Sequence, residues 1–345
     1  MIARQIKSLF VVTQVAVLAA AGSAFAATGK VYVADEGASA VSVIDATRFK
    51  KIGSIPVGQG PHNVQVSPDG KWVWVTNSGD PAKAAETMPA EKMPQGEPGA
   101  MAGAGAVWVI DAATDAVVAK VPVGIHPAHV VMASDGRTGY ITNGGDNTVS
   151  VVDTAARRVI GAVPVGTSPH GLRITPDGKQ VWVANLKGST VSEVDTENRK
   201  QVAQIVAGKG PAQVGFTADG RFGFVSLSGG NKVAVIDPVS RKIAVGTVPI
   251  QLYATPDSRL LLVANQGTLK KPGTTVSVID IASMKVAATI KTGQGAHGVV
   301  VGHDGRHAFV TNTYANTVSV IDVAERKVVA TVPVGKGPNG ISMAP

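Results

Sequence analysis

Histidine is the residue type in this sequence with the clearest capacity for chemistry. The chain has no cysteine, which excludes thiolate metal sites, iron–sulfur clusters and cysteine nucleophiles. His62, His170 and His297 share one context, in Gly-Pro-His-Asn, Ser-Pro-His-Gly and Gly-Ala-His-Gly. His126 and His129 flank the same position in Ile-His-Pro-Ala-His. Converging imidazoles could bind Cu, Zn or Fe, or ligate haem, so we treat His62, His129, His170 and His297 as candidate metal ligands.

Patterns typical of an enzyme are missing. The sequence has no G-x-S-x-G elbow, P-loop, H-E-x-x-H or EF-hand loop, and no G-x-G-x-x-G that opens a helix as a Rossmann fingerprint does. An Asp does recur at seven regular places, but a catalytic group would normally break such a repeat, so we interpret it as a turn residue. We therefore expect a non-enzymatic protein. A lactonase-like hydrolase, with a site built from His and Asp of distant repeats, stays open as an alternative.

The recurring Asp marks a repeat of about 42 residues. Its seven copies each end an apolar stretch such as Val-Ser-Val-Ile-Asp, and they are Asp45, Asp111, Asp153, Asp195, Asp237, Asp280 and Asp322. Each unit contains four short Val-rich stretches separated by Gly, Asn and Asp, and four strands in this length are the period of a β-propeller blade. In one unit the pattern predicts strands at 169–174, 179–185, 190–195 and 201–206.

The two ends of the chain complete each other. Residues 338–345 match residues 169–176 position by position and so form a first strand, whereas residues 29–35 match the second strand that ends at Asn185. One blade is thus shared between the termini, and the closed ring leaves no exposed end face of sheet. The sequence predicts an all-β fold, a seven-bladed β-propeller with four antiparallel strands per blade.

A tetrad near the end of each second strand carries a family resemblance. Its copies are residues 32–35 (Tyr-Val-Ala-Asp), 74–77 (Trp-Val-Thr-Asn), 140–143 (Tyr-Ile-Thr-Asn), 182–185 (Trp-Val-Ala-Asn), 224–227 (Phe-Val-Ser-Leu), 262–265 (Leu-Val-Ala-Asn) and 309–312 (Phe-Val-Thr-Asn). The chain resembles the YVTN β-propeller repeat family, which includes YncE-like and surface-antigen-like periplasmic propellers. The resemblance implies the fold but no single function: similar proteins include binding proteins, relatives of lactonases and, more distantly, eight-bladed haem d1-binding propellers.

The first 26 residues have the features of a signal peptide. Arg4 and Lys7 precede an apolar run, and Ala24-Phe25-Ala26 supplies a small-x-small cleavage site. We predict cleavage after Ala26, a propeller over residues 27–345, and a periplasmic or secreted location without a membrane span. Aromatic residues make up only 4% of the chain, which argues against nucleic acid as a partner. We expect a monomer that binds a small ligand or a periplasmic protein, both unidentified.

One spacing between consecutive recurring aspartates is much longer than 42 residues. It locates an insertion at about residues 78–105, within the first complete blade. Met88, Met93 and Met101 lie in it, and thioethers suit Cu(I). Strand order places this insertion and the loops leading into the first strands on one rim, so His126 and the three methionines join the candidate ligand rim. We predict an exported binding or interaction protein that uses this rim. The first alternative is a metal (Cu, Zn, Fe) or haem carrier, and the cofactor stays open.

Overall fold

Seven four-stranded antiparallel sheets build the molecule, which confirms the predicted seven-bladed propeller. The computed structural model describes residues 29–79, 105–236 and 241–345. The predicted signal peptide and most of the insertion, with its three methionines, lie outside these ranges. Across the described ranges, no helix is long and apolar enough to cross a membrane.

The chain enters the ring through three strands of blade seven. They are β1 (Lys30–Asp35), β2 (Ala40–Asp45) and β3 (Lys50–Pro56), with a 3₁₀ turn at Glu36–Ala38 between the first two. Blade one follows with β4 (Pro61–Val66), β5 (Trp72–Asn77), β6 (Ala106–Asp111) and β7 (Ala116–Pro122). Blade two contains β8 (Pro127–Met132), β9 (Thr138–Asn143), β10 (Thr148–Asp153) and β11 (Arg158–Pro164).

The remaining blades repeat this order. Blade three contains β12 (Pro169–Ile174), β13 (Gln180–Asn185), β14 (Thr190–Asp195) and β15 (Lys200–Val206). Blade four contains β16 (Pro211–Phe216), β17 (Gly223–Leu227), β18 (Lys232–Ile236) and β19 (Lys242–Ala244). Blade five contains β20 (Pro249–Ala254), β21 (Leu260–Gly267), β22 (Pro272–Asp280) and β23 (Lys285–Lys291). Blade six contains β24 (Ala296–Val301), β25 (His307–Asn312), β26 (Thr317–Asp322) and β27 (Lys327–Pro333), and β28 (Pro338–Met343) returns to blade seven.

The ring closes through pairing of the two chain ends, as predicted. Strand β28 pairs antiparallel with β1, with Tyr32 opposite Ser342, and the Ala344 amide donates a hydrogen bond to the Lys30 carbonyl at 2.9 Å. The first strand of every blade contacts the first strand of the next, and β28 contacts β4. The seven first strands therefore enclose a central channel.

Apolar side chains between neighbouring blades form the core. One cluster joins Val149 and Val151 of blade two to Leu172, Val181 and Val183 of blade three, all fully buried. Burying such a side chain contributes roughly 1.5–3 kcal/mol, so each blade is stabilised mainly by its neighbours. The recurring Asp has the predicted turn role, since its carboxylate accepts hydrogen bonds from backbone amides two or three residues later at Asp45, Asp111, Asp153, Asp195, Asp280 and Asp322.

A one-residue bulge lies near the start of each first strand. In β12, Pro169 pairs with Asn185 and Leu172 pairs with Val183, so the first strand has one residue more than its partner over this step. A bulge re-aims side chains relative to regular pleating. The second and third residues of each first strand can therefore both direct their side chains toward the channel.

Candidate metal centre

Four first strands bring histidines to one end of the channel, which we call the channel mouth. His62 of β4, His170 of β12 and His297 of β24 are the second residues of their strands, and His129 of β8 is the third residue of its strand. The bulge explains why imidazoles from both positions meet. We call these four residues the histidine cluster.

Three imidazoles of the cluster are close enough to share one ion. The Nε2 atoms of His62 and His170 are 3.2 Å apart, and one ring nitrogen from each of His62, His129 and His170 lies within 4.8 Å of the other two. Two nitrogens bound to one ion at about 2.0–2.1 Å are about 3.3 Å apart in a tetrahedral site. The His62–His170 spacing thus already matches a pair of ligands.

Hydrogen bonding fixes the proton on His170. Its Nδ1 lies 2.9 Å from the Ala212 carbonyl, which can only accept, so Nδ1 carries the proton. The lone pair of Nε2 is then directed at His62 Nε2. This is the arrangement of a metal-binding histidine whose other nitrogen is held by a carbonyl.

His62 can adopt either neutral tautomer. Its Nδ1 lies 3.1 Å from the Asn339 side-chain nitrogen, a donor, so in one tautomer Nδ1 accepts from Asn339 and Nε2–H donates to His170. Its Nδ1 also lies 3.7 Å from the Glu36 carboxylate, too far for a hydrogen bond in this geometry but close enough for the negative charge to attract Nδ1–H in the other tautomer. That second tautomer frees the Nε2 lone pair for a metal.

Glu36 is held in place for this role. The Asn339 side chain donates to its carboxylate at 2.6 Å. Burial acts to raise the pKa of Glu36, but the hydrogen bond and charge of His62 and the hydrogen bond from Asn339 outweigh it and hold the pKa at about 2. Glu36 is therefore ionised at neutral pH, as a carboxylate that orients a metal-binding imidazole must be.

Two nitrogens of the cluster are buried without a hydrogen-bond partner among the described residues. They are Nε2 of His129 and Nδ1 of His297. An unsatisfied buried polar atom costs about 1–3 kcal/mol, so each is an available ligand position. Ring centroids place His129 4.7 Å from His170, and His297 6.3 Å from His62.

Burial keeps the inner imidazoles neutral. It lowers the pKa of His129 well below its ordinary value, that of His170 to about 4 and that of His297 to about 3, and a positive charge on His62 acts in the same direction on all three. Neutral imidazole is the form that binds metal, so no proton has to be displaced from these rings at pH 7.

Blades two, four and five have an apolar residue at the second position of the first strand and a polar residue at the third. Blades with His170, His297 or Asn339 have glycine there, and a side chain at Gly171 would collide with the Gln213 side chain and the Ala212 carbonyl. The polar residues at this level of the channel are His62, Asn63, His129, His170, Gln213, Gln251, His297 and Asn339. The histidines of blades one, two and three occupy one side of this ring.

The three histidines that share one sequence context, His62, His170 and His297, are not the closest set. The closest set comes from the consecutive blades one to three, because His129, one residue further along its strand, reaches the cluster through the bulge. His126 stays outside the cluster, but it lines an adjacent cavity of about 580 Å³ together with Glu36, His62, Ser78 and His170.

The predicted insertion begins and ends on this rim. The Gly79 amide donates to the Gln59 carbonyl at 3.3 Å, and the Gly105 amide donates to the Gly124 carbonyl at 3.0 Å. Met88, Met93 and Met101 lie outside the described residues. Sequence reasoning missed Glu36 and Asn339. Asn339 could have been found because it occupies the repeat position that is histidine in three other blades.

Several solved structures share this fold. A Kuenenia stuttgartiensis hydrazine synthase structure is 22% identical, with a TM-score of 0.67 over 81% of this chain and 88% of that one. A functionally unknown protein of Desulfotomaculum acetoxidans is 16% identical, with a TM-score of 0.73 over 91% and 98%. Dihydro-heme d1 dehydrogenase NirN, in complex with DHE, is 15% identical, with a TM-score of 0.63 over 91% and 75%.

Among curated protein sequences, none matches this chain significantly. The family model of the YNCE-like beta-propellers, by contrast, matches residues 101–237 and 200–344. These matches together span more than half of the chain and run across consecutive blades, in agreement with the fold. The chain belongs to the family of YNCE-like beta-propellers.

Proposed function

We propose that this chain is an exported binding protein whose ligand is a transition-metal ion held at the channel mouth by His62, His129 and His170. Export rests on the signal peptide predicted at residues 1–26. The observation that carries the metal is the approach of three imidazole nitrogens from three blades to within 4.8 Å of one another. The role is binding or delivery of the ion, for which no catalytic group is required.

A purely structural role for these histidines fits the contacts less well. A histidine that only stabilises its own loop would direct both ring nitrogens to nearby backbone. Here His62 and His170 direct Nε2 at each other, and the His129 nitrogen has no partner in the part of the chain that the structure describes. With His62 in the tautomer that frees Nε2, one cation can accept the lone pairs of all three imidazoles.

The ligand set favours a borderline divalent ion. Three neutral imidazoles without thiolate or a direct carboxylate suit Cu²⁺ and Zn²⁺, and Cu²⁺ binds such nitrogen sites more tightly in the ordinary order of divalent affinities. His62 lies on the wall of the adjacent cavity, so an ion can reach the cluster from that side. His297, whose Nδ1 is buried without a partner among the described residues, is a candidate for a fourth ligand.

The test is titration of the mature protein, purified without a histidine tag, with Cu²⁺ and Zn²⁺ by calorimetry. We expect one ion per chain with a Kd below roughly 10 µM. His126→Ala is the matched control, since His126 lines the same cavity outside the cluster and its loss should leave the affinity unchanged. Absence of such binding, or unchanged binding in a His62→Ala/His129→Ala/His170→Ala variant that still unfolds cooperatively, would rule the proposal out.

The cavity beside the cluster favours a second candidate, a haem-type ligand coordinated by His62 or His170. Its volume of about 580 Å³ exceeds the needs of a bare ion. The similar NirN structure contains DHE, which is a property of that protein. Haem titration followed by absorbance tests this candidate, and a Soret band that neither His62→Ala nor His170→Ala alters would exclude it.

The lactonase-like alternative rests on the shared fold alone. A putative 6-phosphogluconolactonase of Bacteroides fragilis is 15% identical, with a TM-score of 0.68 over 92% of this chain and 98% of that one. Assays on a panel of lactones, with and without divalent metal, decide this alternative.

A further inference from the structure

A second ring of side chains lines the channel two residues beyond the level of the histidine cluster. It consists of the fifth residue of each first strand, namely Gln65, Val131, Arg173, Gly215, Tyr253, Val300 and Ser342. Their neighbours at the fourth position, such as Leu172 and Leu252, are buried between blades. Because side chains alternate along a strand, the fifth positions face the channel. Arg173 is the one charged residue among these seven.

Arg173 stands between two cavities at this end of the channel, which we call the far end. One cavity has a volume of about 340 Å³ and the other about 270 Å³, and Arg173, Tyr253, Val301 and His303 line both. Cavities of this size hold a small molecule rather than a polymer. The site is separate from the histidine cluster at the channel mouth.

The Arg173 guanidinium has no anionic partner in the described ranges. No carboxylate lies within ion-pair distance of it, and no Asp or Glu lines either cavity. The guanidinium lies beside the Tyr253 ring, whose centroid is 5.8 Å from Cζ. Burial lowers the pKa of Arg173, yet an arginine stays protonated in proteins. A positive charge in a partly buried channel is thus left without compensation.

The aspartates nearest the far end do not supply that compensation. They sit in the turns between first and second strands, and their carboxylates accept hydrogen bonds from their own turns. Asp177 accepts from the Lys179 amide at 3.1 Å and from the Thr175 hydroxyl at 2.6 Å. Asp257 likewise accepts from the Arg259 amide at 3.1 Å.

We propose that the far end of the channel binds a small oxyanion, a carboxylate or a phosphate monoester, through the guanidinium of Arg173. The planar fork of arginine pairs with two oxygens of such a group at once. Tyr253 and His303 line both cavities and offer additional hydrogen-bond donors. This site does not depend on the metal proposed at the channel mouth.

The test measures binding of inorganic phosphate and of succinate to the mature protein by calorimetry in Tris buffer, with chloride at equal ionic strength as the reference. We expect saturable binding of at least one anion, and the stronger of the two identifies the oxyanion class. Arg173→Gln should weaken anion binding at least ~10-fold because it removes the charged guanidinium. Glutamine keeps a polar side chain in the channel, like that of Gln65. Arg221→Gln, which changes a charge on the same rim outside both cavities, should leave it unchanged.

Two outcomes would overturn the site: no saturable binding of either anion to the native protein, or equal binding by Arg173→Gln. If Arg173→Gln does not fold, Arg173→Lys replaces it. Lysine keeps the charge but loses the fork, and the affinity should again fall. Cu²⁺ affinity measured on the same variants should not fall, because Arg173 provides no metal ligand and its positive charge near His129 opposes a cation, and this separates the site from the metal centre.

Discussion

The Nε2 atoms of His62 and His170 lie 3.2 Å apart, although the two residues are 108 positions apart in the sequence and belong to blades one and three. His129 of the blade between them completes the group. The approach of His129 to the other two depends on the bulges of the first strands, which let the second and the third residue of a strand both direct side chains into the channel. Closure of the ring holds these strands in register, so the geometry of the site depends on the whole fold.

Loss of a cluster histidine should affect metal affinity according to its position. We expect His170→Ala to weaken Cu²⁺ binding at least ~100-fold, since second-shell losses alone cost 10–100-fold. His297→Ala should have a smaller effect because its ring is 6.3 Å from that of His62. Competition titration against a chelator of known affinity measures both. An equal loss in the two variants would contradict this ranking.

Glu36 should act on the metal through His62. Glu36→Gln keeps a group that Asn339 can hydrogen-bond but removes the negative charge that attracts His62 Nδ1–H. We expect Cu²⁺ affinity to fall about 10-fold, with the folded structure retained. Glu325→Gln, an exposed carboxylate beside Lys327 in blade six, is the control. A native affinity in Glu36→Gln would mean that Glu36 does not orient His62.

Asp35 should destabilise the protein at neutral pH. It is fully buried, and burial raises its pKa to about 6, although the Ser42 hydroxyl and Lys51 oppose this shift. Because the folded pKa exceeds the unfolded value of about 3.9, the folded state binds this proton more tightly. The stability from this group is complete below about pH 4 and is lost as the pH rises through 6.

Asp35→Asn should remove the loss of stability that ionisation of Asp35 causes at neutral and higher pH. Other blades have asparagine at this position, and Asn185 donates to the Ser192 hydroxyl at 2.9 Å. We expect the free energy of unfolding in urea to rise by about 2–3 kcal/mol at pH 8 and by much less at pH 4. Asn143→Asp, the reverse change in blade two, should destabilise more at pH 8 than at pH 4. A difference independent of pH would count against this explanation.

Glycine at position 171 should be required by close approach of the next blade. A Cβ there would collide with the Gln213 side chain and the Ala212 carbonyl, whereas one at Gly161 would meet nothing within 4 Å. We expect Gly171→Ala to lower the free energy of unfolding by about 1–3 kcal/mol and Gly161→Ala to leave it nearly unchanged. Urea unfolding compares the two, and equal stabilities would show that the first strands can separate at this point.

The fold could be predicted from sequence because each repeat carries its own local signals. The first and third strands of blade three have the predicted bounds, Pro169–Ile174 and Thr190–Asp195, and the pairing of β28 with β1 followed from the matching ends. Which histidines come together could not be predicted fully from the sequence. Residues at the same repeat position are expected at the same distance from the channel axis, so the repeat alone treats His62, His170 and His297 as equivalent. The bulge places His129, rather than His297, in the closest set of imidazoles. No pattern in a single sequence indicates that Glu36 approaches His62.

Anomalous diffraction from a crystal soaked with Cu²⁺ tests the metal centre most directly. The account predicts one strong peak at the channel mouth, about 2.0–2.2 Å from nitrogens of His62, His129 and His170. A map at saturating Cu²⁺ with no peak among these three imidazoles, or with the ion bound elsewhere on the rim, would contradict it.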